Sequence, residues 1–191
     1  MKISLSIDDG CASDVRIAEM ADRYEIDTTF YWPVEWTTLA FDNGYIPLTY
    51  NDALSISRRY EVGSHTITHR HLTKISIADA QHEILGSKLM LERLFGRKIT
   101  KFCPPRGYTN EELSAFTLRF YKSQRLTKGK GLVHIHPNSG ANENMNWIDY
   151  FDTIYENNSH IELWGHSWEF DKFNLWGDIE RFMRDYSHSE L

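Results

Sequence analysis

Residues 2–10 read Lys2-Ile-Ser-Leu-Ser-Ile-Asp-Asp-Gly10. Ile3, Leu5 and Ile7 alternate with polar residues, the period of a β-strand with one face turned to a core. The run stops at Asp8-Asp9-Gly10, so two adjacent carboxylates stand at the end of a strand. Asp and Gly also make turns and cap helices. The pair therefore gains meaning only from what else the chain brings to that place.

Outward from this strand, helical and extended patterns alternate. Ser13–Tyr24 carries Val15, Ile17, Ala18, Met20 and Ala21 at helical spacing, with Ser13 or Asp14 as cap. Thr28–Trp32 is β-branched and aromatic, and Pro33 ends it. A Trp- and Tyr-rich loop is expected up to about Thr49, then a helix over Asn51–Tyr60 with Asn51 as cap and a short strand over Glu61–Ser64. Ser76–Phe95 is the longest helical pattern, closed by Gly96. Short strands at Thr100–Cys103, Ser123–Leu126, Leu132–Ile135 and His160–Trp164 are interleaved with helices at Asn110–Phe120, Asn146–Glu156 and Trp176–Tyr186. This alternation is the pattern of an α/β fold with a mostly parallel sheet or barrel. With 191 residues the chain is short for a full eight-fold barrel, which takes about 250. A smaller or incomplete barrel fits, as one domain over residues 1–191, with no repeat or linker dividing it.

Composition narrows the function. The formal net charge of −6 gives no support for a nucleic-acid partner. Cys11 and Cys103 form no paired motif and read as buried thiols. No segment approaches the roughly 18 apolar residues of a membrane span, and no secretory leader is visible. If Met1 is the native start, a cytoplasmic location is expected.

Reactive residues recur just after strands: Asp8-Asp9, then His65 and His69, then Pro104-Pro105-Arg106, then His166. In parallel α/β architectures such positions share one face and converge on one cleft. Two His four residues apart can meet on one metal in a helix or tight turn. Two His and one carboxylate leave coordination positions open, as hydrolytic metal sites require.

At these residues the chain resembles the polysaccharide deacetylase family, the NodB-homology group of carbohydrate esterase family 4. Ser6-Ile-Asp-Asp-Gly10 resembles its T-F-D-D-G motif, and His65-Thr-Ile-Thr-His69 matches its H-[ST]-x-x-H motif in full. Phe102-Cys-Pro-Pro-Arg-Gly107 is similar to F-R-P-P-Y-G, and Trp164-Gly-His166 to the late L-x-H motif. The resemblance implies a deformed, incomplete (β/α) barrel and hydrolysis of an N-acetyl or similar acyl group on a carbohydrate. By the same resemblance Asp9, His65 and His69 would hold one divalent metal, commonly zinc. Asp8 would be the general base, and the Arg106 backbone N–H an oxyanion donor. His166 would be the general acid, and Pro105 and Trp164 would line the substrate pocket. Two departures follow. Cys103 stands where the family has an Arg that orients the catalytic Asp, so Arg106 is expected to reach back to a carboxylate or to meet an anionic substrate. No clear Asp tunes His166; Glu169 and Asp171 are both open as substitutes, while His71, His134 and His136 have no motif support. Alternatives are a hydrolase of a non-sugar amide on the same barrel and an inactive carbohydrate-binding relative. A ferrous oxygenase, which also uses two His and a carboxylate, is disfavoured by the α/β pattern.

Overall fold

The computed structural model describes residues 2–139 and 145–186. Its strands are β1 (Lys2–Asp8), β2 (Asp27–Trp32), β3 (Glu61–Ser64), β4 (Lys101–Phe102), β5 (Ser123–Gln124), β6 (Leu132–His134) and β7 (His160–His166). The helices are α1 (Asp14–Tyr24), α2 (Trp36–Asn43), α3 (Tyr50–Ser57), α4 (Ile77–Phe95), α5 (Glu111–Leu118), α6 (Trp147–Tyr155), α7 (Ser167–Lys172) and α8 (Trp176–Tyr186). All strand pairs are parallel, in the order β5-β4-β3-β2-β1-β7-β6. No ladder joins β5 to β6 among the described residues, so the sheet is a curled half-barrel wrapped by helices, the incomplete barrel expected from the sequence.

Alternation along β1 sorts the two faces. Ile3, Leu5 and Ile7 are buried and belong to the apolar core shared with Trp147, Leu163, Ile179, Phe182 and Met183. Burial of each such side chain favours the fold by about 1.5–3 kcal/mol. The other face carries Ser4, Ser6 and Asp8 into the half-barrel, where Tyr31, Arg125 and Trp164 also lie buried.

Side-chain caps mark the starts of α4, α5 and α6. Ser76 accepts from Asp79 N–H, and Asn110 accepts from Leu113 N–H. Asn146 accepts from the N–H groups of Ile148 and Asp149. Gly96 closes α4 in the left-handed conformation. Four expectations need correction. The segment before Thr49 is not all loop, since α2 occupies part of it. Helix α3 is capped by Thr49, not Asn51. Ser13 makes no capping hydrogen bond; its hydroxyl donates to Asp171 at 2.5 Å. Asp14 is drawn inward, where it accepts from Trp32 Nε1 and Ser167 Oγ. Strand β7 runs on to His166 and turns directly into α7, an element outside the expected set.

A candidate metal centre at the ends of the strands

Strand register aligns the reactive residues. Asp8 is level with His166 on β7 and with Tyr31 on β2. His65 N–H bonds Trp32 O at the end of β2, Cys103 N–H bonds Ser64 O, and Arg125 N–H bonds Phe102 O. Each strand therefore delivers its next residue to the same rim. After Asp8 the chain turns sharply through Asp9 (φ 78°) and Gly10 (φ 77°). A Cβ at Gly10 would stand 2.8 Å from Trp36 Cβ, so this turn is closed to larger residues on both counts.

The structure brings Asp9, His65 and His69 together, as the sequence suggested. Asp9 Oδ1 is buried and accepts no hydrogen bond, yet faces His65 Nε2 at 3.6 Å and His69 Nε2 at 3.3 Å. Ligand atoms on a tetrahedral cation with bonds of about 2.1 Å stand at comparable separations. His65 Nδ1 lies 2.7 Å from Cys103 O. A carbonyl only accepts, so Nδ1 carries the proton and Nε2 offers its lone pair to the centre. Burial holds the His65 pKa down, to about 4, despite nearby carboxylates. Burial would push the Asp9 carboxyl up, but His166, His69 and His65 together hold it well below the usual range. An orphaned carboxylate oxygen facing two imidazole nitrogens fits a divalent cation.

The His65–His69 segment is a strained turn rather than a helix, with Thr66 at φ 72° and His69 at φ 59°. It is tied down by Glu83 of α4, a buried carboxylate that sequence reasoning passed over. Glu83 accepts from Ile67 N–H at 2.8 Å, Thr68 N–H at 2.9 Å and Thr68 Oγ1 at 2.6 Å.

Asp8 is held by a residue the sequence reading also missed. Arg125, just past β5, donates from Nη2 to Asp8 Oδ1, and both side chains are buried. The guanidinium lies over Tyr31 and Trp164, 5.1 and 5.0 Å from the ring centroids. Cys103 Sγ sits 4.0 Å from Asp8 Oδ2, in the place the resemblance gives to an Arg. Arg125 supplies that cation from the next strand, and Arg106 does not reach a carboxylate. Among the described residues Arg106 has no ion pair; it is exposed on the cleft wall with φ 59°. Its backbone N–H finds no acceptor among the described residues, whereas those of Gly107 and Tyr108 are bonded to Pro104 O and Pro105 O. Pro105 itself is buried and is not part of the cleft lining.

His166 Nε2 faces Asp9 Oδ2 at 3.7 Å, and His166 Nδ1 lies 2.7 Å from Glu169 Oε2. Glu169 is thus the partner that the sequence left open. Asp171 turns away to Ser13 and Trp176. Burial alone would lower the His166 pKa, but Asp9 and Glu169 raise it to about 9. The Glu169 carboxyl, despite partial burial, is held down to about 2 by His134 and His166. His134 is no bystander: its Nε2 lies 3.2 Å from Glu169 Oε2, and its ring stacks on Trp164 at 3.9 Å.

These groups open on a cleft of about 770 Å³ that is also lined by Tyr45, Lys128, Tyr150, Trp164 and Trp168. Tyr45 and Trp168 stack at 5.7 Å and 5°, and Trp168 Nε1 points to Asp9 Oδ2 at 3.3 Å.

The polysaccharide deacetylase family model matches residues 1–120. The chain belongs to the polysaccharide deacetylase family. No curated protein matches it. Among solved structures it is similar to the peptidoglycan deacetylase PdaC from Bacillus subtilis, at TM-score 0.66 and 18% identity over 96% of this chain and 83% of that one. It is also similar to the Bc1960 peptidoglycan N-acetylglucosamine deacetylase, at TM-score 0.65 and 16% identity over 96% and 82%. A carbohydrate esterase family 4 pseudoenzyme, BA3943 from Bacillus anthracis, matches at TM-score 0.64 and 15% identity over 94% of this chain; the chain spans 60% of its length. A mutant of that pseudoenzyme with restored enzymatic activity matches at TM-score 0.64 and 17% identity over 94% and 62%. At these identities the likeness is one of fold.

Proposed function

We propose that this chain is a metal-dependent hydrolase that removes an N-acetyl or similar acyl group from a carbohydrate. The observation that carries the reading is one rim holding three complete parts. These are the Asp9, His65 and His69 ligand set with its orphaned Oδ1, Asp8 fixed by Arg125, and His166 fixed by Glu169. Family membership and the fold shared with two peptidoglycan deacetylases support it. The pseudoenzyme among the neighbours makes the inactive alternative concrete, but a site with no chemistry to perform has no need of both an oriented base and an oriented acid.

A divalent cation, zinc by analogy with the family, would be held by Asp9, His65 and His69 and would supply Lewis acidity and an acidified water. Asp8 stands beside that position as general base. The Arg125 guanidinium keeps its carboxylate pointed. The free Arg106 N–H is the oxyanion donor from the protein, a contact of the kind worth a few kcal/mol. His166, with its Nδ1 proton engaged by Glu169, presents Nε2 to the departing amine as general acid. Trp164, buried behind His134, walls off the end of the site where the acyl methyl would lie. The Tyr45–Trp168 pair offers a flat face for a sugar ring. Among the described residues the cleft's only lining carboxylates are Asp8 and Asp9, whereas Arg106 and Lys128 line it with no ion pair. In a chain of net charge −6 this favours a sugar that also carries an anionic group.

Metal content and acetate release, measured together on N-acetylated oligosaccharides for the native chain and Asp8→Asn, test the reading. Near one tightly bound metal in both, with release only from the native chain, is expected. Metal in both with release from neither would sink the hydrolase reading in favour of a binding role.

A further inference from the structure

A second group of potential ligands lies beside the proposed centre. His134, His166 and Glu169 each offer one ligand atom, and these three atoms lie within 4.8 Å of one another. Glu169 Oε2 is 2.7 Å from His166 Nδ1 and 3.2 Å from His134 Nε2, so two ring N–H groups converge on one carboxylate oxygen. A carboxylate that served only to orient His166 would need one imidazole, not two. The second imidazole is also held rigidly. His134 lies flat on Trp164, 3.9 Å between centroids and 7° from parallel, with His136 stacked behind it at 5.2 Å. All three ligand-bearing side chains are partly or wholly screened from solvent, at 25%, 20% and 10% exposure. His134 and His166 nevertheless line the cleft, which gives an ion a way in and leaves a coordination position facing it. Ligand atoms on a tetrahedral ion with bonds of about 2.0–2.1 Å stand about 3.3–3.4 Å apart, close to the 3.2 Å between His134 Nε2 and Glu169 Oε2; His166 Nδ1, now at a hydrogen-bond distance of 2.7 Å, draws back by a few tenths of an ångström to bind.

We propose that His134, His166 and Glu169 form a second, inhibitory site for a divalent transition-metal ion such as zinc. This site is distinct from the one at Asp9, His65 and His69. The ion takes the place of the ring protons now aimed at Glu169: the Nδ1 proton of His166 is released, and His134 turns its Nε2 lone pair to the ion with its proton on Nδ1. His166 then loses its hydrogen bond to Glu169, so excess metal suppresses the step that needs this residue as acid. The inhibitory consequence rests on the deacetylase reading above; the binding itself does not.

Equilibrium dialysis against zinc, followed by metal analysis, tests the site on the native chain, His134→Asn, Glu169→Gln and Asp9→Asn. Two zinc ions per native chain are expected, the second at least tenfold weaker. His134→Asn and Glu169→Gln should each keep the tight ion and lose the weak one, which also shows that both variants fold. Asp9→Asn should lose the tight ion and keep the weak one. Cobalt(II) substitution should give a second tetrahedral absorption band set that His134→Asn lacks. One ion per native chain, or a second ion that survives both His134→Asn and Glu169→Gln, overturns the proposal. Where acetate release is measurable, zinc in excess of one equivalent should inhibit the native chain, and His134→Asn should need at least tenfold more; equal inhibition of the two also overturns it. Absence of acetate release from every substrate would count against the deacetylase reading alone, because the metal count decides the site without it.

Discussion

Arg125 and Asp8, 117 residues apart in sequence, form a buried ion pair beneath the cleft floor. The pair exists because β4 and β5 are so short that their following residues, Cys103 and Arg125, both arrive at the rim beside the end of β1. A cation on either could face Asp8, and here the second provides it. Arg125→Gln is expected to lower kcat by about 10²-fold, the scale of a misplaced reacting group, while the tight metal is retained by dialysis. Arg125→Lys should recover only part of the loss, because a point charge does not reproduce the fork of a guanidinium. Full activity in Arg125→Gln would remove Arg125 from the machinery.

Glu169 acts on His166 through charge, and this fixes the direction of a pH effect. Against the lowering effect of burial, the carboxylates of Asp9 and Glu169 raise the His166 pKa. In Glu169→Gln the imidazolium loses one stabilising charge, so its pKa falls and the protonated acid disappears at lower pH. The alkaline limb of the kcat/KM profile should move down by about one pH unit or more, as expected for an opposite charge at this range. An unmoved limb would mean that another group sets it.

Much of the fold could be read from residue pattern, and the exceptions have local causes. Strand β1 shows its period because one face meets core and the other meets the half-barrel interior. Helices α4, α5 and α6 announce themselves through Ser76, Asn110 and Asn146. Helix α2 has no side-chain cap and begins in an aromatic run that reads equally as loop. Helix α7 has six residues and follows β7 without a break, too short to show a period. In the site, His65 and His69 were legible because both sit in one turn. Arg125 and Glu83 were not: each meets its partner only through tertiary packing, and a charged residue near a strand end or on a helix ordinarily reads as solvent-facing. Glu169 and Asp171 lie two residues apart on α7, and only the direction of the helix face decides between them.

Glu83 should govern metal affinity without touching the metal. Its three hydrogen bonds hold the turn that presents His65 and His69 in left-handed conformations at Thr66 and His69. Glu83→Gln keeps the shape but removes the negative charge that strengthens the two backbone N–H bonds, and its amide nitrogen cannot accept from the Thr68 hydroxyl. A rise of about 10–100-fold in the dissociation constant of the tight zinc is expected, the usual scale for partners behind metal ligands. Competition with a chelator of known affinity measures it. An unchanged constant, with the native fold retained, would show that the turn holds its shape unaided.

Trp164 should set the size of the acyl group. It stands where the related motif carries Leu, is 7% exposed, and is fixed between the His134 ring at 3.9 Å and the Arg125 guanidinium at 5.0 Å. An indole so clamped cannot swing aside, so the end of the pocket is shallower than a Leu would leave it. Trp164→Leu opens that space. It also removes the surface on which Arg125 and His134 rest, so turnover of the acetyl substrate should fall several-fold. The informative quantity is therefore the ratio of kcat/KM for a propionyl or butyryl sugar to that for its acetyl twin, in which a general loss cancels. That ratio should rise by about 10-fold or more, since one methylene accommodated in an apolar pocket is worth roughly 1–3 kcal/mol. A ratio that stays level while both rates fall would place Trp164 behind the site as support for Arg125, with the acyl pocket formed elsewhere on the wall.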